Sequence, residues 1–252
     1  MILIRTARRG IKMVLDYPQY PNGMYRLGKN DFDDIARDVL KEYMPGVVDS
    51  QQEIDINYLI KECLFLTVRS KNITADKSVL GLIAFEEATV PCYDLGFNPV
   101  KIDLQAGDIL IDLSLSGNQS LPRRRFTLAH EASHWILHRS YHSPTNQKFE
   151  FRKPYNSSLA SDIERRIHRF ETETDREEWQ ANSLAAALLM PKIAFMKTAL
   201  REIERMYGYE QYPLMNDGSD EYSEVIQRIA SVYNVSRQAT EIRLEQLEII
   251  AA

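Results

Sequence analysis

The sequence predicts an α+β fold: a small twisted β-sheet packed on a long helix, with further helices and a helical C-terminal tail. Three observations carry this. Apolar residues recur at helical spacing from Asp31 to Cys63, short branched runs follow in the middle, and helical periodicity returns from Leu121 onward. Helices, then strands, then helices is the order of an α+β chain.

The elements follow in order. Residues 1–30 start basic (Arg5, Arg8, Arg9, Lys12) and turn rich in Tyr, Pro and Gly, which reads as an irregular arm. Asp31 to Tyr43 has helical periodicity and stops before Pro45, and Ile56 to Cys63 reads as a second helix. Leu64–Val68, Val79–Phe85 and the run from Gly107 to Leu115 read as strands by their branched and alternating residues. Leu121–Arg139 is a helix with Pro122 in its first turn, where a missing N–H costs nothing. Residues 141–173 form a polar connector, with a short strand at Lys148–Arg152 and a helix at Ser161–Phe170. Thr174 and Glu177 form a capping box that opens a helix ending at Met190, before Pro191. Pro191 then opens another helix to about Met206, followed by a loop holding Gly208, Pro213 and Gly218. Residues 211–252 form a helical tail, expected to pack on the unit spanning residues 31–210.

Composition narrows the class. Hydrophobic residues at 44% and charged residues at 27% describe an ordinary globular chain rather than a disordered one. A net charge of −5 argues against a general nucleic-acid binder. Cys63 and Cys92 form no C-x-x-C pattern and are too few for a disulfide scaffold, so they read as reduced thiols in a cytoplasmic protein. The N-terminus MILIRTARRGIKMVLDY has no apolar run suited to a signal peptide or membrane span.

The run His130-Glu131-Ala132-Ser133-His134 is an H-E-x-x-H motif inside the helix predicted from Leu121. Five His and 36 acidic residues make such a match by accident only roughly 0.01 times per chain. His134 lies about 40° from His130 on the helical wheel, so the two imidazoles share a face and can hold one metal ion. Glu131, beside them, is placed to act as general base toward an attacking water. Leu128, Ala132 and Ile136 fall on the largely opposed, apolar face, as in a helix that is buried on one side and lines a cleft with the other. The strand before it could offer its edge to an extended peptide.

A catalytic zinc takes a third protein ligand. Ser140 and Leu137 stand where a metzincin would have His and Gly, so that class is excluded. An acid on a second helix remains. In the segment from Thr174 to Pro191, Glu178, Asn182, Ala185, Ala186 and Leu189 share a face. Glu178 can there reach the metal, and Asn182, one turn on, can hold a liganding His ring. Glu178 equally fits a solvated, acidic helix start (Glu171, Glu173, Asp175, Glu177), and spacing alone does not choose between the two.

Together, the segments RRRFTLAHEASHWILH and EEWQANSLAAALLMP closely resemble the ImmA/IrrE family of metallopeptidases, whose members carry an H-E-x-x-H motif followed by E-x-x-A-N and L-L-M-P. The resemblance implies a gluzincin-like zinc site with His130, His134 and Glu178 as ligands and Glu131 as general base. It implies cleavage of a specific intracellular protein, a helix-turn-helix repressor being the family's usual substrate. Leu184 stands where Phe is common, and the interval from His134 to Glu178 is longer than the family's. The first hundred residues resemble the family only weakly. A His/His/Glu site also suits Mn2+ or Fe2+.

His138 continues the four-residue spacing and reads either as a substrate or transition-state contact at the cleft edge or as a structural core residue. Arg123 to Arg125 read as a basic first turn exposed to water, or as a contact for acidic substrate segments, and His142 and His168 as solvated. Trp135 and Trp179 read as packing residues. The tail from Glu221 to Ile249, with Ser236 as an N-cap, resembles a helix-turn-helix. From Arg237 to Glu248, though, two Arg face three Glu, a poor charge for phosphate contacts, which argues against direct DNA binding. The competing functions are a DNA-binding regulator with a structural or vestigial metal site and a module that sequesters a repressor without cutting it. An intact Glu131 argues against both, because a purely structural site has no use for a non-ligand acid there.

Overall fold

The computed structural model describes residues 15–142, 172–208 and 213–251. Helix α1 (Asp31–Tyr43) carries Asp31, Asp33 and Asp34 in its first turn, Lys41 in its last, and buries Phe32, Ile35, Ala36, Val39 and Leu40, an i, i+3, i+4, i+7, i+8 stripe. A short helix α2 (Ile56–Tyr58), capped by the Asp55 side chain, runs directly into a π-helical turn at Leu59–Cys63. The second helix expected at Ile56–Cys63 is therefore present, but wider in its last turn.

Three strands form a mixed sheet in the order β1 (Thr67–Lys71), β5 (Asp108–Asp112), β2 (Gly81–Ile83). β1 runs parallel to β5, and β2 pairs antiparallel with it. β5 is central and buried throughout. Its alternation divides the interior: Ile109 and Ile111 face the main core, while Leu110 faces a smaller cluster with Ile73, Val79, Val90, Cys92 and Leu104. β5 ends at Asp112, earlier than the strand expected to Leu115, because the Asp112 carboxylate accepts from Ser114 N and caps a 3-10 turn. Likewise β1 starts at Thr67 rather than Leu64, since the Leu64 N–H still donates to Leu59 O and closes the π turn.

A hairpin of β3 (Ala88–Tyr93) and β4 (Pro99–Leu104) lies outside the sequence expectation. Each strand contains a proline, which demotes a run read from sequence alone. The turn is held by Asp94, whose Oδ1 accepts from the backbone N–H of Gly96 and Asn98.

Helix α3 (Leu121–His138) begins with Pro122 in its first turn and buries Leu128, Ala129, Ala132, Ile136 and Leu137. Helix α4 (Glu173–Leu189) packs against it and adds Leu184, Ala185 and Leu188 to the same core. The capping box sits two residues before the expected one: Thr172 accepts from Asp175 N, and Asp175 accepts from Thr172 N. It is the same chemistry at the same spacing, and Thr174 falls inside the helix. Phe32 of α1 packs edge-on against Trp179 of α4 at 4.9 Å, and Trp135 of α3 stacks with Phe85 at 6.1 Å.

Helix α5 (Lys192–Tyr207) follows the sharp turn at Pro191. Helix α6 (Asp220–Tyr233) ends on Asn234 at φ 50°, a left-handed cap that Asn tolerates, and α7 (Arg237–Gln246) begins on Ser236, whose Oγ accepts from Ala239 N. This pair buries Tyr222, Ile229, Tyr233, Leu244 and Ile249 in the same core as α1, α3 and α4. Arg243 of α7 reaches back to the Met190 carbonyl and to Asp33.

Arg125, read from sequence as a solvated basic residue, is only 3% exposed. Its guanidinium donates to the carbonyls of Ile54, Tyr233 and Asn234 and pairs with Glu53. It lies on the inward side of its turn, where a planar fork can satisfy several buried acceptors at once. The strand expected at Lys148–Arg152, the helix at Ser161–Phe170, His168, and the basic residues of the first 14 positions lie outside the described residues. Among the described residues, no single helix is long and apolar enough to cross a membrane.

Candidate metal centre and active site

Two side chains one turn apart on α3 meet one side chain of α4. His130 Nε2 and His134 Nε2 are 3.0 Å apart; Glu178 Oε2 is 3.2 Å from the first and Oε1 is 3.4 Å from the second. Three lone-pair donors from residues far apart in sequence thus converge on one point. Such closeness between like acceptors is unfavourable unless a proton or a cation sits among them. Glu178 Oε2 is buried and accepts no hydrogen bond, a cost that a cation at this point would remove. Nitrogen, nitrogen and carboxylate oxygen suit a borderline divalent ion such as zinc.

Electrostatics point the same way. Burial disfavours protonation of His130, but contact with the Glu178 carboxylate and the charges of Glu178 and Glu131 prevail and lift its pKa to about 9. Burial alone would raise Glu178; the adjoining His134 and His130 rings prevail and hold its carboxyl well below the usual range. The pocket therefore favours positive charge at the His130 ring. Glu131, 5% exposed, points beside them, and burial raises its pKa, partly offset by His130 and His134. A carboxyl shifted upward is a better proton acceptor than an ordinary surface acid.

Behind each ring stands a hydrogen-bonding partner. His130 Nδ1 is 3.0 Å from Asn182 Oδ1, on α4 one turn beyond Glu178. His134 Nδ1 is 3.0 Å from His138 Nδ1. His138 does not reach the cleft: it is fully buried, its Nε2 lies 2.9 Å from Gln180 Oε1, and burial lowers its pKa to about 3. Of the two readings of His138, the structure bears out the core residue and corrects the substrate contact. The α3 wheel puts it near the His face, but α4 covers that turn of the helix. His142, expected to be solvated, is 16% exposed on its side chain and sits 2.6 Å from Glu177 Oε1. His134, His138 and Glu177 form a second group of potential ligand atoms, all buried. There the two Nδ1 atoms are already engaged with each other, and Glu177 with His142.

The first cluster opens into a cleft of about 520 Å³ lined by His130, Glu131, His134, Glu178 and Asn182 on one side and by β2 and the β3–β4 hairpin on the other. Leu82, Ile83, Phe85, Val90 and Tyr93 make its far wall largely apolar. Among the described residues β2 pairs with β5 alone, and Gly81, Leu82 and Ile83 of β2 line this cleft. Gly81, at the start of β2, lies so close to α3 that a Cβ built on it would come within 2.6 Å of Thr127 Cγ2 and 2.7 Å of Glu131 Oε1. Sequence reading did not single out Gly81; an isolated glycine in a strand pattern, which marks a close approach, is the signal that was available. Gln180 and Arg125 carry no comparable signal, because their partners, backbone carbonyls among them, lie in distant parts of the chain.

The arrangement can hold a divalent ion on three protein atoms with a carboxyl beside it, at the edge of the 520 Å³ cleft. A family model for peptidases, M78, described as the IrrE N-terminal-like domain, matches residues 112–245, from the end of β5 into α7. No curated protein matches the chain. The matched stretch spans more than half of the chain and contains His130, Glu131, His134, Glu178 and Asn182. The chain belongs to the ImmA/IrrE family of metallopeptidases.

Proposed function

We propose that this chain is a zinc-dependent endopeptidase that cuts a specific intracellular protein, a helix-turn-helix repressor being the substrate class that the family resemblance implies. The observation that carries this reading is the convergence of His130 Nε2, His134 Nε2 and Glu178 within 3.4 Å at the mouth of the cleft, with Glu131 beside it. His130, His134 and Glu178 would hold the ion. Bound there, zinc supplies Lewis-acid polarisation of the scissile carbonyl and acidifies water. Glu131 takes a proton from the attacking water and delivers it to the leaving amine. Asn182 holds the His130 ring from behind. The apolar wall formed by β2 and the hairpin excludes water and grips substrate side chains, and the open edge of β2 pairs with the substrate backbone.

The test uses the full chain, a small helix-turn-helix repressor encoded beside it, and zinc, with and without a chelator. Fragments of defined mass are expected only with metal, and none with Glu131→Gln. A stable complex with metal present and no fragments would instead favour sequestration without cleavage.

A further inference from the structure

Behind the His130–His134–Glu178 cluster runs a line of buried polar groups that the reaction above does not use. His134 Nδ1 is 3.0 Å from His138 Nδ1, His138 Nε2 is 2.9 Å from Gln180 Oε1, and Gln180 Nε2 donates to the Tyr25 carbonyl at 2.7 Å. All three side chains are buried, His138 and Gln180 completely.

One end of this line has a fixed chemical sign. A peptide carbonyl can only accept, so the Gln180 amide must present its NH2 to Tyr25 and its oxygen to His138. An amide oxygen can only accept in turn, so His138 Nε2 carries a hydrogen. A neutral ring protonated at Nε2 has a bare Nδ1, and the 3.0 Å gap to His134 Nδ1 admits one hydrogen. That hydrogen then belongs to His134 Nδ1. The His134 ring is left with its lone pair on Nε2, the atom that faces His130 and Glu178. Glu177 does not interrupt the line: its Oε1 is 3.8 Å from His138 Nδ1, beyond hydrogen-bond range, and meets His142 at 2.6 Å.

The geometry points to Gln180 and His138 as positioning residues for His134: starting from the Tyr25 backbone carbonyl, they fix the ring's tautomer and orientation so that Nε2 is ready to bind the ion. This deepens the proposed function and rests on it, since it takes His130, His134 and Glu178 as the ligands. It gives His134 what Asn182 gives His130. It also ties the metal centre to Tyr25, within the stretch of residues 1–30 that the sequence marks as an irregular arm. Ring partners of this kind are worth roughly 10–100-fold in metal affinity when removed.

The test is made on the full chain, metal-free and zinc-loaded. Long-range proton–nitrogen NMR of the imidazole rings is expected to show His138 as the Nε2–H tautomer and His134 protonated at Nδ1 in both states. His138 protonated at Nδ1 would overturn the assignment. So would two zinc ions per chain, because the atoms of His134, His138 and Glu177 would then hold a second cation. His138→Phe removes the acceptor and should weaken zinc binding by about 10–100-fold. His138→Gln, whose side-chain oxygen can accept from His134 Nδ1, should recover part of that loss, whereas equal losses in the two variants would mean that His138 only fills space. If His138→Phe does not fold, the tautomers of the native chain decide. Glu178→Gln separates the two readings: zinc binding as tight as in the native chain would remove Glu178 as a ligand, while the ring tautomers would still report on Gln180 and His138.

Discussion

Gly81 and Glu131 touch across the floor of the cleft: strand β2 comes so near to helix α3 that any side chain at position 81 would press on the Glu131 carboxylate, 2.7 Å from where a Cβ would stand. Strand and helix thus fix the carboxylate between them. Gly81→Ala is expected to push Glu131 aside while leaving the His130, His134 and Glu178 atoms in place. Displacing a reacting group by about 1 Å costs on the order of 100-fold, so kcat should fall by about that factor with metal content and KM little changed. Full activity in Gly81→Ala would show that Glu131 has no need of its place.

Glu131→Gln preserves shape and removes the proton acceptor. Cleavage should fall by about 100- to 10,000-fold, the usual worth of a general base, with metal stoichiometry unchanged. His130→Ala should lose both metal and cleavage. Metal analysis beside turnover separates the two results, and a Glu131→Gln variant that cleaves at the native rate would exclude this residue as the base.

Proton and metal compete for His130. In the metal-free chain its pKa lies near 9, above the ordinary 6.5, so the ring is protonated through the neutral range and binding must release that proton. Apparent zinc affinity should therefore rise with pH, by roughly tenfold per unit, and level off near 9. The sign for stability of the metal-free chain is opposite: the raised value contributes stability that is fully present below about 6.5 and lost as pH rises through about 9. Glu178→Gln removes the largest influence that raises the His130 value, leaving burial opposed only by Glu131 and Asn182, so the pH dependence should move down the scale. Calorimetry in buffers of different ionisation enthalpy counts the released proton, and a flat affinity profile would contradict this picture.

What was legible in the sequence was what local chemistry dictates. His130 and His134 share a face because four residues span about one turn, and Glu178 and Asn182 share a face of α4 for the same reason. Strand β5 and helix α1 follow from their apolar periods. What escaped was set by distant partners. The β3–β4 hairpin carries Pro91 and Pro99, which lack the N–H that a ladder uses and so blur a strand pattern. The destinations of Arg125, three backbone carbonyls on α6, its cap and the segment before α2, leave no trace in the residues around it. For His138 the spacing left two roles open, a cleft contact or a core residue, because the wheel of α3 cannot show that α4 lies over it.

Helix α7 should bind duplex DNA no better than a generic surface. Arg243 is buried against Asp33 and the Met190 carbonyl, which leaves exposed Arg237 beside Glu241, Glu245 and Glu248. An affinity no tighter than about 10⁻⁴ to 10⁻⁶ M at physiological salt is expected, the range of sequence-independent contacts. Fluorescence anisotropy against an operator-like duplex checks this, and nanomolar binding with a steep salt dependence would restore the DNA-binding alternative.

Arg125 joins the catalytic helix to both flanks of the chain. Its guanidinium serves Ile54 O, Tyr233 O and Asn234 O together with Glu53, so α3 is bound at once to the segment before α2 and to the junction of α6 and α7. Arg125→Met matches the length of the stem but leaves three carbonyls without this donor in a poorly hydrated place. Glu53 is half exposed and can turn to water, so the cost is that of buried acceptors left unsatisfied, about 1–3 kcal/mol each. Arg125→Lys should recover little, since one ammonium cannot reproduce the fork. Urea unfolding followed by tryptophan fluorescence and by circular dichroism should show both variants shifted by similar amounts. In the native chain the two probes should unfold together, because Trp135, Trp179 and the tail share one core. If Arg125→Met lost less than about 1 kcal/mol, the range of an exposed ion pair, Arg125 would be no more than a surface contact and the tail would owe its place to its apolar face alone.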